Sequence, residues 1–356
     1  MKKVAIIGTQ GVPAKYGGFE TLVENIIGDN ASPNVEYTIF CSAKDYETQQ
    51  RVYKGAKLKY IKWFHANGAQ STPYDIVSML KAIRGYDTVV ILGVSGCIFL
   101  PVFRCLFRKR LIINIDGLEH RRAKWGKFAK WFLRTSEAMA VRYADVVIAD
   151  NKGIQDYVTE TYGKASELIA YGGDHVKREL SADEAREILK GYSVKPNEYA
   201  FCVCRIEPEN NTHVILQAFS ETDKKLVFVG NWERSEYGRA LRKKYEGCKN
   251  ITLINSCYDL NHLYALRSNC KWYIHGHSAG GTNPSLVEAM FFAKPILAFD
   301  VVYNRETTEN QAYYFKNSEE LKHLLENDNL NGDKMLEIAQ RRYTWKHIAE
   351  QYEALY

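Results

Sequence analysis

No two aspartates in this chain stand one residue apart, so it lacks the D-x-D pair that grips a nucleotide-bound metal. No cysteine pair has C-x-x-C spacing. The eight cysteines are scattered, with Cys202 and Cys204 alternating on one expected strand face, which reads as core packing in reducing surroundings rather than zinc or disulfides. His275 and His277 have no third ligand spaced to join them, so no metal is expected. No apolar run approaches the ~20 residues that a bilayer span requires. The longest, 89–103, is interrupted by Gly93, Gly96 and Pro101. The opening "MKKVAIIGTQGVPA" carries no secretory h-region, so the cytoplasm is the expected compartment. Charge of one sign is also scarce. The net charge of +6 is mild and no nucleic-acid-binding signature appears, so no nucleic-acid partner is expected.

Short β-branched runs alternate with amphipathic stretches along all 356 residues. Strands are expected at 4–8, 37–40, 58–61, 88–92, 111–115 and 146–149, then at 199–204, 226–229, 251–254, 272–275 and 296–299. Helical patterns at 73–83, 210–219 and 283–292 lie between them. This alternation predicts parallel α/β sheets, and the length predicts two domains. A Gly-Gly turn and a charged run at 170–186 mark the boundary. The expected organisation is a Rossmann-like domain over 1–172, a second over 173–340, and a terminal helix over 341–356, with the two doubly wound domains facing across a cleft.

In open α/β sheets, ligands bind where strands end, near a switch in strand order. The first such place is "GTQGVPAKYGGFET", residues 8–21. Its glycines miss the G-x-G-x-x-G spacing of a dinucleotide site. Gly17 and Gly18 instead suit close approach of backbone to an anion at the following helix, and a plain turn with a helix cap is the alternative. The second is "VCRIEPENN", where Arg205 ends a strand. Its planar fork suits a diphosphate, the alternative being a surface ion pair with Glu207 or Glu209. The third is "YIHGHSAGGTNPSLVEAMFF". Amides of Gly281, Thr282 and Asn283 could meet phosphate oxygens there, and Glu288 is either a buried structural acid or a hydroxyl acceptor. Asp116, Glu119 and His120 follow a strand of the first domain, where an acceptor-side base could lie. Beyond them Arg121, Arg122, Lys124, Lys127, Lys130 and Arg134 interleave with Trp125, Phe128, Trp131 and Phe132. That suits an anionic membrane surface, or a solvated basic face with its aromatics packed inward.

In order and spacing these stretches resemble retaining nucleotide-sugar glycosyltransferases of family 4, which have the GT-B fold. "YGGDHV" at the domain junction and the closing "YTWKHIAEQYEALY" belong to the likeness, which covers nearly the whole chain. "GTQGVPAKYGGFE", "DGLEHRRAKW", "CRIEPENN" and "GGTNPSLVEAM" are similar to the bacterial rhamnosyltransferase-type branch that builds surface polysaccharides such as capsule. The resemblance implies a final helix that crosses back to the first domain and metal-independent transfer of a sugar, L-rhamnose from dTDP-rhamnose being the best match. The acceptor would be a hydroxyl of a lipid-linked oligosaccharide at the inner membrane face. No cofactor is implied beyond the donor substrate. It assigns donor binding to Gly17, Gly18, Arg205, Asn210, His277, Gly280, Gly281, Thr282, Asn283 and Glu288, with Glu288 on the ribose. Catalysis would fall to Arg205 with Asp116, Glu119 or His120. Two positions depart from the family: its usual lysine is Asn210 here, and the first of its two glutamates is Gly280. His277, Ser278 and Asn211 stand near enough in sequence to substitute. The alternatives are a sugar-nucleotide epimerase of the same fold, a non-catalytic membrane-associated assembly protein, and an inactive copy of the transferase.

Overall fold

A computed structural model describes residues 1–356 apart from 16, 123 and 124, so Lys124 of the basic helix lies outside the described residues. The chain forms two compact units, Met1–Tyr171 with Trp345–Tyr356, and Gly172–Thr344.

The first unit holds strands β1 (Lys2–Ile7), β2 (Val35–Ser42), β3 (Val52–Tyr53), β4 (Ala56–Ile61), β5 (Thr88–Leu92), β6 (Arg110–Asn114), β7 (Val146–Ala149) and β8 (Glu167–Leu168). They form one sheet in the order β3-β4-β2-β1-β5-β6-β7-β8, parallel except for the β3–β4 pair. The order reverses between β1 and β5. Strands such as β5 ("TVVIL") are buried along their whole length, as a sheet covered on both faces requires. One side is covered by Leu22, Val23 and Ile26 of helix Gly18–Ile26. On the same side lie Trp345, Ile348, Ala349 and Tyr352 of the final helix, Trp345–Ala354. Their i, i+3, i+4, i+7 spacing makes one apolar stripe, and each such side chain contributes about 1.5–3 kcal/mol when buried. Tyr352 Oη also accepts from Asn114 Nδ2 at 2.8 Å, pinning this helix to the end of β6.

The second unit holds β9 (Tyr199–Val203), β10 (Lys225–Val229), β11 (Ile251–Ile254), β12 (Trp272–His275), β13 (Ile296–Phe299) and β14 (Tyr313–Phe315). All pairings are parallel in the order β11-β10-β9-β12-β13-β14, reversing between β9 and β12. Its core is built on Phe201's neighbours Ala200 and Cys202 with Phe228, Trp232 and Ile274. Two parallel-sheet α/β domains are thus present. The expected helix over 210–219 starts later, at Thr212, because Asn211 takes a left-handed conformation (φ 47°) after a single turn at Pro208–Asn210. The expected helix over 283–292 ends at Met290, and Ala293 at φ 53° prevents its continuation. Among the described residues, no helix is long and apolar enough to cross a membrane.

Candidate functional site

In the second unit, the loops after β9 and β12 leave neighbouring strands on either side of the reversal, the position at which such sheets bind ligands. Arg205, just past β9, is exposed, and no ion pair to Glu207, Glu209 or any other described residue engages its guanidinium. Asn210, expected to touch the donor, is instead 2% exposed. Its Nδ2 donates to the Arg205 carbonyl at 2.7 Å and its Oδ1 accepts from His277 Nδ1 at 2.7 Å. Asn211 Nδ2 reaches the Gly276 carbonyl at 2.8 Å, and Ser278 N–H and Oγ both donate to the Glu209 carbonyl. The two loops are therefore stitched together below Arg205. Gly276 permits this, since a Cβ there would lie 2.1 Å from the Asn210 carbonyl oxygen. His277 is buried like Asn210, while its carbonyl accepts from Asn304 Nδ2. His275 is also buried, and burial together with the nearby His277 pushes its pKa down to about 3, so it stays neutral.

Gly280 and Gly281 follow at φ +63° and +48°, a left-handed pair that glycine adopts without penalty. They turn the chain into helix Pro284–Met290. Thr282 is buried. Asn283 caps this helix, its Oδ1 accepting from Ser285 N at 3.0 Å, with Pro284 at the first position where proline is favoured. Inside the helix Glu288, expected as either a buried structural acid or a hydroxyl acceptor, is an ion-paired acid still partly open to solvent. Arg267 Nη2, almost fully buried, binds Glu288 Oε2, and His175 Nε2 stands 3.6 Å from Oε1. Burial holds His175 below the usual histidine range despite the Glu288 charge. Arg267 and His175 were missed from sequence because they come from a separate helix (Leu260–Ser268) and from the "YGGDHV" junction. Arg267's place directly after the apolar Leu263–Leu266 stretch of that helix was the available signal.

In the first unit the loop after β1 is organised by Glu20, which sequence reasoning passed over. Glu20 is 7% exposed; Oε1 accepts from Thr9 Oγ1 at 2.9 Å and from Gln10 N at 2.8 Å. Burial, and to a lesser degree the Asp116 charge, raise its pKa against those hydrogen bonds. Gly17 stands beside it at φ +129°, a backbone conformation that other residues adopt only under strain; Gly18 begins the helix. Asp116, just past β6, has φ +61° and donates its N–H to Asn114 Oδ1 at 3.0 Å. Glu119 pairs with Arg122 Nε at 2.7 Å and accepts from Trp125 Nε1 at 3.0 Å. His120 Nδ1 lies 3.1 Å from Glu137 Oε2. Gly17, Glu20 and Asp116 thus gather at the carboxyl edge of one sheet, and His120 follows on the next turn. On the helix Lys127–Tyr143, Phe128 (76% exposed) and Trp131 (62%) turn outward with ring centroids 5.8 Å apart, whereas Phe132 is half-buried. Val102 and Leu106 are exposed on the helix packed beside it.

Among the described residues no group of three or more His, Cys, Asp or Glu is placed to hold a metal. Residues 183–341 match the family Glycosyl transferases group 1, and residues 1–174 match a domain of unknown function, DUF1972. No curated protein gave a significant sequence match. Among solved structures, the chain is similar to sucrose-phosphate synthase from Thermosynechococcus elongatus. That likeness has 16% identity, spans 100% of this chain and 98% of that one, and has a TM-score of 0.82. It is also similar to Anabaena HepE in complex with UDP and glucose (14% identity, 99% of both chains, TM-score 0.75). A third likeness is to a putative UDP-N-acetylglucosamine 2-epimerase from Listeria monocytogenes (14%, 99% and 95%, TM-score 0.63). These neighbours share the GT-B glycosyltransferase fold with this chain.

Proposed function

We propose that this chain, whose second unit is a group 1 glycosyl transferase domain, moves a sugar from a nucleotide diphosphate donor to a hydroxyl of a lipid-linked oligosaccharide. L-Rhamnose from dTDP-rhamnose is the preferred donor, transfer is retaining and metal-independent, and the product feeds a surface polysaccharide. One observation carries the donor side: Arg205 is an exposed guanidinium without an ion pair, on a braced loop, beside the 280–283 turn at the reversal of the second sheet. An exposed cation without an ion pair, carried on a braced loop at that point, has no structural duty, and a diphosphate supplies its charge and its bidentate geometry. Glu288, held by Arg267, would accept from the ribose hydroxyls. UDP in the HepE structure supports a nucleotide-bearing donor, and the base remains the choice of the test below.

The lipid-linked acceptor is argued from the first unit. Exposed Phe128, Trp131, Val102 and Leu106 lie among Lys127, Arg134 and Arg108, all of them exposed, which suits the anionic inner face of the cell membrane with the protein peripheral on it. The deciding experiment is a thermal-shift series with dTDP, UDP and GDP. A ligand at a hundred times its Kd should add about 2.7 kcal/mol of stability. Stabilisation by one nucleotide and loss of it in Arg205→Ala is the expected result, and indifference to all three would end the transferase proposal. The epimerase alternative draws on the Listeria neighbour. It requires epimerised nucleotide sugar in an acceptor-free reaction, where the transferase gives only slow hydrolysis.

A further inference from the structure

The two acceptor-side carboxylates and the imidazole differ in what already occupies them. Glu119 is engaged on both oxygens, by Arg122 and by Trp125. Asp116 faces the buried Glu20 carboxyl, whose proton affinity it raises. His120 has another setting. Glu137, 1% exposed, turns Oε2 to His120 Nδ1, while its Oε1 accepts the phenol hydroxyls of Tyr157 and Tyr162, each at 2.8 Å. Three donors thus converge on one buried carboxylate. Burial alone would raise its pKa; the hydrogen bonds from His120, Tyr157 and Tyr162 outweigh it, so the carboxylate is ionised. An ionised carboxylate only accepts, so Nδ1 must carry the proton and Nε2 is left as the basic nitrogen. With both phenols on the other oxygen, the carboxylate cannot rotate to offer a different arrangement. Arg121 also packs here, stacked 4.9 Å over the Tyr157 ring, which itself lies 6.2 Å from the imidazole. Burying a carboxylate is costly for stability alone, whereas a carboxylate behind an imidazole is how proton acceptors are held in one tautomer.

We infer that His120 Nε2 is the base for the acceptor hydroxyl and that Glu137 is its positioning residue. The inference rests on the transferase proposal. In the step, the acceptor oxygen bonds to the anomeric carbon on the face that the diphosphate vacates, as the bond from that carbon to the diphosphate oxygen breaks, so the configuration is retained. The bonding pair departs with the nucleoside diphosphate. The hydroxyl proton passes to His120 Nε2, and the imidazolium, paired with Glu137, returns it to solvent.

Two measurements on the full chain test this. In protein labelled with 15N-histidine, the His120 signal, identified by its absence in His120→Gln, should show the Nδ1–H tautomer at pH 8. In Glu137→Gln it should change, because an amide replaces one of the two accepting oxygens with a donor. An Nε2–H tautomer in the unaltered protein would overturn the inference, as would an unchanged tautomer in Glu137→Gln. Turnover of dTDP-rhamnose in the presence of a polyprenyl diphosphate-linked glucose should fall about 10²–10⁴-fold in His120→Gln. In Glu137→Gln kcat should fall with the donor KM and the dTDP thermal shift retained, and the acid limb of its pH profile should move. Equal kcat in Glu137→Gln would refute its positioning role. No dTDP-rhamnose turnover by the unaltered protein would count against the transferase proposal alone, with the tautomer result still deciding the dyad.

Discussion

Replacing Asn210 with alanine separates two roles that the position could have. As a donor contact it would lower nucleotide affinity and leave folding alone. As a brace it would do both. The amide bridges the Arg205 carbonyl and His277 Nδ1 at 2.7 Å each, with Asn210 and His277 only 2% and 6% exposed. Removing it strands one partly buried acceptor and one buried donor, at about 1–3 kcal/mol apiece, so a loss of about 2–6 kcal/mol is expected. Gly276 packs its backbone against the Asn210 carbonyl, so the loops cannot simply close over the gap. Urea unfolding of the protein and of Asn210→Ala measures the loss. Hydrogen exchange in peptides covering 199–211 and 272–283 locates it. Faster exchange in both peptides, a loss in the stated range and weaker nucleotide binding are expected together. Unfolding within about 0.5 kcal/mol of the unaltered protein, the usual scatter of a surface change, would refute the bracing role.

Arg205→Ala should leave unfolding essentially unchanged, since no described residue pairs with its guanidinium, while nucleotide diphosphate affinity falls about 10- to 150-fold, the equivalent of charged hydrogen bonds worth about 1.5–3 kcal/mol. Calorimetric titration with the nucleotide that the thermal shifts select would measure it. Asp75 is buried with the Gly96 amide as a hydrogen-bond partner, and burial raises its pKa to about 8. It therefore stays protonated in the folded protein while the unfolded chain ionises. Stability should fall as pH rises from roughly 4 to 8, by up to about 1.4 kcal/mol per unit, and Asp75→Asn should remove that slope, as urea unfolding across the range would show. Trp131→Glu combined with Phe128→Glu should abolish co-sedimentation with anionic liposomes and leave binding to nucleotide intact. Sedimentation that ignores lipid charge in the unaltered protein would dismiss the membrane surface.

Much of the fold was legible because strand periodicity and turn chemistry are local properties. All eleven expected strands fall on strands, and the pieces missed were β3, β8 and β14, of two or three residues, too short for a period to register. The closing stretch 341–356 likewise read as a helix, and its Trp345, Ile348 and Tyr352 are buried in the first unit. The site was half legible. Arg205, the glycine turns and the Asn283–Pro284 cap lie at strand ends and helix starts, where sequence alone marks them.

The rest depended on distances that no spacing encodes. Asn210 looked like a replacement for a lysine at the donor; the fold turned it inward, because Asn211 takes the left-handed conformation and the β9 and β12 loops meet only when the strands pair. Glu20, Arg267 and Glu137 are far along the chain from the groups they hold, and burial, not neighbouring residue type, makes their hydrogen bonds strong. The sequence by itself determined two parallel α/β units and the residue types offered at their strand ends. Only the tertiary structure decided which of those residues face solvent and which are consumed as braces, since a polar side chain withdrawn from water must find its partner inside the protein.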